Sequence, residues 1–229
     1  SIFKSESEWE EALKEIEPDI IITTWSACAR MLGTVSVPVY VCITDVGVHT
    51  GWLHDGVQGY LVANSDVKQK LIDMGIDETK IHIRGIPVKK VFHRTIKSYS
   101  TAKRILIMGG GLGIFPWIDN LLDELSTYPE VKITVITGKN IKLYQRLLNK
   151  YKSDNINIVG FTKDVHRYLA ETDLLVSKPG GVSMFESIYM QTPFVAIFPE
   201  YKHEIENALF IQKHEIGEVV WKGQAAGER

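Results

Sequence analysis

Glycine gathers at three places where an apolar run gives way to a helical pattern: "MGGGLG" (108–113), "VGFTKDV" (159–165) and "DLLVSKPGGVSMFES" (173–187). A glycine there lets a ligand approach the main chain, and the helix that follows opens with N–H groups that have no partner within the helix. Both features suit an anion, phosphate first among them. The first turn fits the dinucleotide fingerprint G-x-G-x-x-G badly, because Ile114 occupies the last glycine position. The next strand ends in "TVITGKN", with no acidic ribose ligand, and no Walker lysine motif occurs. The turn therefore indicates phosphate near main chain without naming a nucleotide, and a plain tight turn is the other reading. In the third stretch Ser183 and Glu186 have capping-box spacing. Glu186 either closes its helix or accepts hydrogen bonds from sugar hydroxyls; spacing leaves both open. Phe161 is either a core aromatic or the neighbour of a flat base edge, with Gly160 giving room beside it.

A second cluster lies in "TDVGVHTGWLHDG" (44–56), which holds Asp45, His49, His54 and Asp55. A metal site is one reading, although zinc favours three or four ligands of tighter type. A histidine near an aspartate at a strand end is better suited to orienting or deprotonating a hydroxyl. A surface loop with incidental polar residues is the third reading. No D-x-D occurs, which removes the commonest hint of a metal-held nucleotide diphosphate. From Thr79 to Ile118 there is no acid, while Lys80, Arg84, Lys89, Lys90, Arg94, Lys97, Lys103 and Arg104 fall in that stretch. Such a run is a solvated face or a surface for anionic lipid, at about 1 kcal/mol per basic residue. A nucleic-acid partner is not expected, since no aromatic-and-basic binding motif accompanies the charge.

The elements that position these residues alternate. β-rich runs are predicted at 19–24, 37–44, 59–64, 80–85, 103–108, 131–138, 156–160, 173–177, 193–198 and 217–221. Helical patterns are predicted at the N-terminal "SEWEEALKEIEPDI" and at 65–75, 115–128, 140–151, 163–172, 182–191 and 204–214. Ser65 is the predicted N-cap of the 65–75 helix, Gly75 its C-cap, and Pro116 falls near the first turn of the next. Strands alternating with helices predict parallel sheets covered on both faces, with right-handed crossovers. The basic, aperiodic "GIPVKKVFHRTIKSYSTAK" (85–103) separates two such series, so we divide the chain into 1–97 and 98–229. The first series opens on a helix rather than on a strand and glycine turn, which predicts further strands upstream. With 229 residues, 45% hydrophobic and 24% charged, the chain has an ordinary globular composition. A formal net charge of -2 names no partner, and no apolar run approaches the roughly 20 residues of a membrane span. Cys28 and Cys42 lack metal-site spacing and read as reduced thiols of a cytosolic protein.

Taken together, these residues resemble a known group. "ITDVGVHTGWLHDGVQGYLVANSDVKQKLIDMGIDETKIHIRGIPVKKVF" (43–92) looks like the monogalactosyldiacylglycerol synthases and processive diacylglycerol glucosyltransferases of glycosyltransferase family 28. Those carry T-D-x-x-x-H-x-x-W, V-A-x-x-x-V-K and G-I-P-V elements. "ILIMGGGLG", "IVGFTKDV", "DLLVSKPGG" and the "ES…PFV" continuation follow in the same order, so the resemblance runs over about 19–220. It implies a GT-B fold: two Rossmann-like, doubly wound α/β domains facing across a cleft, with the N-terminal one truncated here. It implies a UDP-hexose as substrate, with Gly110 and Gly111 near the diphosphate and Phe161 and Thr162 beside uracil. By the same carry-over Gly180, Gly181 and Ser183 line the phosphate and sugar region, and Glu186 binds the ribose hydroxyls. Such enzymes invert the anomeric carbon without a bound metal or other cofactor. The group's G-Q-E-x-x-N element reads "KHEIEN" here, placing His203, Glu204 and Asn207 by the donor sugar with Lys202 and His203 substituted. The group's N-terminal glycine loop with its histidine is not in these residues, so Asp45 and His49 are the catalytic candidates within them. The implied acceptor is diacylglycerol; a polyprenyl-linked or other acceptor, or a binding module without turnover, are the alternatives. Lys89, Lys90 and Arg94 would meet an anionic membrane, placing the protein in the cytoplasm, peripheral to the inner face of the cell membrane.

Overall fold

The computed structural model describes residues 6–32, 35–101, 103–111, 113 and 117–222. Two compact units divide between Pro87 and Val88. In the first, α1 (Glu6–Ile16) leads to β1 (Ile21–Thr23), α2 (Ser26–Leu32), β2 (Val39–Cys42), β3 (Val57–Val62), α3 (Ser65–Asp73) and β4 (Ile81–Ile83). The four strands pair in parallel in chain order, β1-β2-β3-β4. Sequence reasoning passed over α2, which is only seven residues long. The cap of α3 also differs from expectation. Asn64, not Ser65, is its N-cap, and its Oδ1 accepts the Val67 N–H at 3.0 Å. An asparagine side chain reaches that N–H as well as a serine does, and here it comes one residue earlier.

In the second unit the strands are β5 (Lys103–Met108), β6 (Val131–Ile136), β7 (Ile156–Val159), β8 (Leu174–Ser177), β9 (Phe194–Ile197) and β10 (Gly217–Val220). Helices α4 (Ile118–Leu125), α5 (Ile141–Lys150), α6 (Val165–Ala170), α7 (Gly181–Tyr189) and α8 (Lys202–Lys213) connect them. The proline placed near the first turn of α4 lies outside the described residues. All strands are parallel, in the order β10-β9-β8-β5-β6-β7. Read from β5, that is 3-2-1-4-5-6, so chain direction across the sheet reverses between β5 and β8. One core joins Ile107, Ile133, Val135, Ile158 and Val176 of the strands to Ile118, Leu122, Leu143 and Leu147 of α4 and α5. Each such side chain contributes about 1.5–3 kcal/mol by leaving water, which holds the strand ends rigid.

The unit boundary falls ahead of the one drawn after Lys97 from sequence, and packing explains why. Residues 92–98 lie against both α6 and α7. The Phe92 ring meets His166 edge-on at 6.1 Å between centroids, and His93 lies 4.8 Å from Tyr189. Ser98 N–H donates to the Ala170 carbonyl at 2.8 Å. The Lys97 ammonium donates to the carbonyls of Leu169 (3.1 Å) and Thr172 and to Thr192 Oγ1 at 2.6 Å. Burial pushes its pKa down, with the nearby Asp173 charge opposing that. Arg104 in turn grips Asp173, through its main-chain N–H at 2.9 Å and through its guanidinium. Two members of the acid-free basic run are therefore internal pins rather than a solvated face.

Candidate functional site

Parallel α/β sheets bind ligands beyond the carboxyl ends of their strands, at the point where strand order reverses. In the second unit that point lies between β5 and β8, whose last residues, Met108 and Ser177, are register partners. The "GGG" turn leaves the first strand and "KPGG" the second, so pairing alone brings two of the three glycine turns side by side. Gly110 has φ +68, where a side chain is strained. A Cβ on Gly111 or Gly180 would meet nothing within 4 Å. Packing gives no reason for the missing side chains at Gly111 and Gly180, and their absence leaves open space above the main chain. Gly113 and Gly138 differ: a Cβ would come within 1.9 Å of Thr137 O or 2.7 Å of Gly111 O. Those two glycines build the turn.

Helix α7 begins at this place. Its N-cap is Gly180, with no side-chain cap, so the first N–H groups, at Gly181, Val182 and Ser183, face the opening without an intrahelical partner. The capping box expected of Ser183 and Glu186 does not form, because the helix starts at Gly181 and both residues already lie inside it. Glu186 is buried, at 6% exposure. Burial pushes its carboxyl pKa up, the Lys89 ammonium opposes this, and no hydrogen bond among the described residues supports its charge. A buried carboxylate left with free acceptor positions is costly to fold, and the helix gains no cap from it.

The "KHEIEN" residues divide. Glu204 is buried, and its Oε2 accepts the N–H groups of Glu200 (2.9 Å) and Tyr201 (3.3 Å), closing the start of α8. Its other oxygen lies 3.6 Å from Lys178 Nζ. Asn207, fully buried, donates from Nδ2 to Pro179 O at 2.8 Å. Both residues hold the Lys178–Gly181 turn from behind. His203 is exposed and stacks on Tyr201, 5.8 Å between centroids and 2° between planes. Lys178 escaped sequence reasoning. It follows β8 directly, so its ammonium stands at the strand end. There it borders a cavity of about 320 Å³ with Trp117, Phe198, Glu200 and Lys222. A lysine immediately after a strand at the reversal of strand order was the signal available. At the third turn, Phe161 is exposed rather than core, and Thr162 Oγ1 accepts the Asp164 N–H at 3.0 Å.

In the first unit the turn after β2 carries Asp45, half-buried, and His49, exposed. His49 Nδ1 accepts the Gly51 N–H at 3.1 Å and caps a short 3-10 turn, Thr50–Trp52. That bond leaves the ring proton on Nε2, so His49 as placed presents a donor, suited to orienting an oxygen rather than removing its proton. His54 Nδ1 is likewise committed, to the Gly56 N–H at 3.2 Å. Among the described residues no three His, Cys, Asp or Glu side chains converge as a metal site would require.

Two family profiles match. The profile of monogalactosyldiacylglycerol (MGDG) synthase covers residues 5–88, and that of the glycosyltransferase family 28 C-terminal domain covers residues 104–229. The chain belongs to glycosyltransferase family 28. The processive diacylglycerol beta-glucosyltransferase of Bacillus cereus (strain B4264) is 30% identical over 212 residues, covering 86% of this chain and 55% of that protein. The one from Staphylococcus aureus (strain JH9) is 28% identical over 218 residues, covering 89% and 56%. The chain thus spans about half the length of these relatives. Acinetobacter baumannii MurG superposes with a TM-score of 0.65 at 16% identity, over 99% of this chain and 66% of that one. Anabaena Alr3699/HepE, solved with UDP and glucose, gives 0.61 at 14%, over 98% and 71%. These likenesses show the fold class, GT-B, with two Rossmann-like units.

For this family-28 chain the remaining candidates lie along residues 88–99. Lys89, Lys90 and Arg94 are all exposed, and Lys89 acts on the Glu186 carboxyl. Between and beyond them Val91, Ile96 and Tyr99 are exposed at 37%, 86% and 79%, an apolar component that the basic spacing alone did not announce. Among the described residues no helix is long and apolar enough to cross a membrane. Cys28 and Cys42 are free thiols.

Proposed function

We propose that this chain forms the donor-binding part, and a portion of the acceptor side, of an inverting glycosyltransferase. It moves a hexose from a UDP-sugar to a membrane lipid, with diacylglycerol as the acceptor. The observation that carries this is Glu186: a buried carboxylate, not used as a cap and with no hydrogen bond among the described residues, one helical turn inside a helix start without a side-chain cap, at the reversal of strand order. In this reading Glu186 accepts hydrogen bonds from the ribose hydroxyls. The N–H groups at the start of α7 and the main chain of Gly110 and Gly111 hold the diphosphate.

The chemistry follows from where charge develops. The acceptor hydroxyl oxygen attacks the anomeric carbon as its proton passes to a base. The bond to the diphosphate breaks, and its electron pair leaves with UDP. Donors fixed at the helix start stabilise that growing negative charge without reorganising, so no metal is needed. Lys178, held by Glu204 at the same strand end, adds a positive charge. His49 orients the acceptor oxygen through Nε2–H, and Asp45 stands in the same turn. On the surface, Lys90 and Arg94 interleaved with Val91, Ile96 and Tyr99 offer charge and apolar contact together, which suits peripheral attachment to an anionic membrane.

The test is calorimetric titration of the full-length protein with UDP, followed by transfer assays with UDP-glucose, UDP-galactose and diacylglycerol. Binding of UDP that is lost in Glu186→Ala at unchanged melting temperature supports the site. No transfer from any UDP-sugar would overturn the enzyme reading.

A further inference from the structure

Beside Phe161 lies a groove of about 820 Å³ at the carboxyl ends of β6 and β7. Gly138 and Lys139 form one side, Gly160 and Phe161 another, and Ile141 and Tyr144 of α5 close it. The groove is tied to the "GGG" turn. A Cβ on Gly138 would strike the carbonyls of Gly111 and Gly110, and Lys139 N–H donates to Gly111 O at 3.1 Å. Asn140 Nδ2 completes the clamp on Gly113 O at 2.9 Å. So whatever occupies the groove borders the main chain assigned to the diphosphate.

Two side chains in it have no structural task that accounts for them. The Phe161 ring is 57% exposed. The Lys139 ammonium lies 5.8 Å from that ring's centroid and forms no ion pair among the described residues. An exposed aromatic ring at a strand end, with a cation beside it, suits a flat heterocycle whose edge carries oxygen. A base stacked on Phe161 would move the ammonium from the ring face to the base edge.

We propose that Lys139 selects the nucleobase of the donor nucleotide, favouring uracil or thymine over cytosine. The inference rests on the nucleotide-sugar reading above. Its chemistry is simple: an ammonium only donates. At position 4 uracil and thymine present a carbonyl oxygen, an acceptor, whereas cytosine presents an amino group, a second donor. One such contact is worth about tenfold in discrimination.

Calorimetric titration of the full-length protein with UDP, TDP, CDP and pyrophosphate tests this, in wild type, Lys139→Met and Phe161→Ala. Both side chains are exposed, so neither change threatens the fold. The expected wild-type order is UDP and TDP about tenfold tighter than CDP. In Lys139→Met that ratio collapses towards one while pyrophosphate binding stays within about twofold; in Phe161→Ala all three nucleotides weaken alike. An unchanged UDP-to-CDP ratio in Lys139→Met, with UDP still bound, overturns this inference and leaves the nucleotide site standing. A parallel loss of pyrophosphate overturns it too, since Lys139 would then be a phosphate contact. Wild-type protein that binds no UDP sinks the nucleotide reading itself.

Discussion

Helices α7 and α8 both bury a glutamate close to the Lys178–Gly181 turn, at 6% and 8% exposure. Glu204 on α8 is fully employed, with two main-chain N–H groups on one oxygen and Lys178 beside the other. Among the described residues, Glu186 on α7 has only the field of Lys89. The two helix starts mirror this: Glu204 closes that of α8, and no side chain among the described residues caps that of α7. The contacts of Glu204 within the fold account for its burial on α8. The fold leaves α7 with a buried carboxylate that has no hydrogen bond among the described residues and a helix start without a side-chain cap, an arrangement that makes sense once a ligand brings both hydroxyls and phosphate.

If the two carboxylates proved interchangeable, α7 and α8 would not differ in role. Glu186→Ala carries the largest expected effect, a loss of about 10–100-fold in UDP affinity, the worth of hydrogen bonds to a charged group. Its melting temperature should hold or rise, because a buried charge is removed. Equal UDP affinity in that variant would return Glu186 to the core. For Glu204→Ala the effect moves to stability: about 1–3 kcal/mol by denaturant unfolding, since two N–H groups lose their partner and Lys178 its counter-ion. A smaller loss of about 1–2 kcal/mol is expected for Asn207→Ala, which strands the Pro179 carbonyl in the interior. In both α8 variants UDP weakens only as far as the turn loosens. If either lost UDP binding with native stability, α8 would belong to the ligand rather than to the scaffold.

Most of this architecture was legible because apolar periodicity and turn chemistry agreed. Every strand predicted from a short β-rich run is present, and the alternation that predicted parallel sheets holds in both units. The three glycine turns were visible, yet their meaning came from strand order, which no local signal carries: only pairing puts Met108 beside Ser177. Spacing was misleading where identity of the cap mattered. Ser183 and Glu186 have the separation of a capping box, but the helix begins at Gly181 and that separation serves nothing. The "KHEIEN" residues looked like one ligand set and separate into two buried supports and one exposed histidine. Their direction depends on helix rotation, which composition does not give. Lys97 and Arg104 looked like surface charge because a lysine buried by three oxygens cannot be told from a solvated one in a sequence.

The smallest expected effect separates the two helices by pH. Burial holds the folded Glu186 carboxyl pKa above its unfolded value. Between those two values the folded state binds more protons than the unfolded one, so stability falls as pH rises through that window and stays lower above it. Glu186→Gln has no such slope. Asp173 and Asp119 act in the opposite sense, their pKa values held down by hydrogen bonds from Arg104 and Arg146. Their contribution is lost as pH falls, but both proteins carry it and it cancels in the difference. The difference in unfolding free energy, Gln variant minus wild type, should therefore be smallest in acid, grow through that window and level off above it. UDP affinity runs the other way, because only the ionised carboxylate accepts from both ribose hydroxyls, so wild-type binding strengthens with pH over the same window. Denaturation and titration curves measured from pH 4 to 8 decide it. Opposite slopes for stability and affinity mark a carboxylate kept for its ligand, and slopes of the same sign would place Glu186 with Glu204 as part of the scaffold.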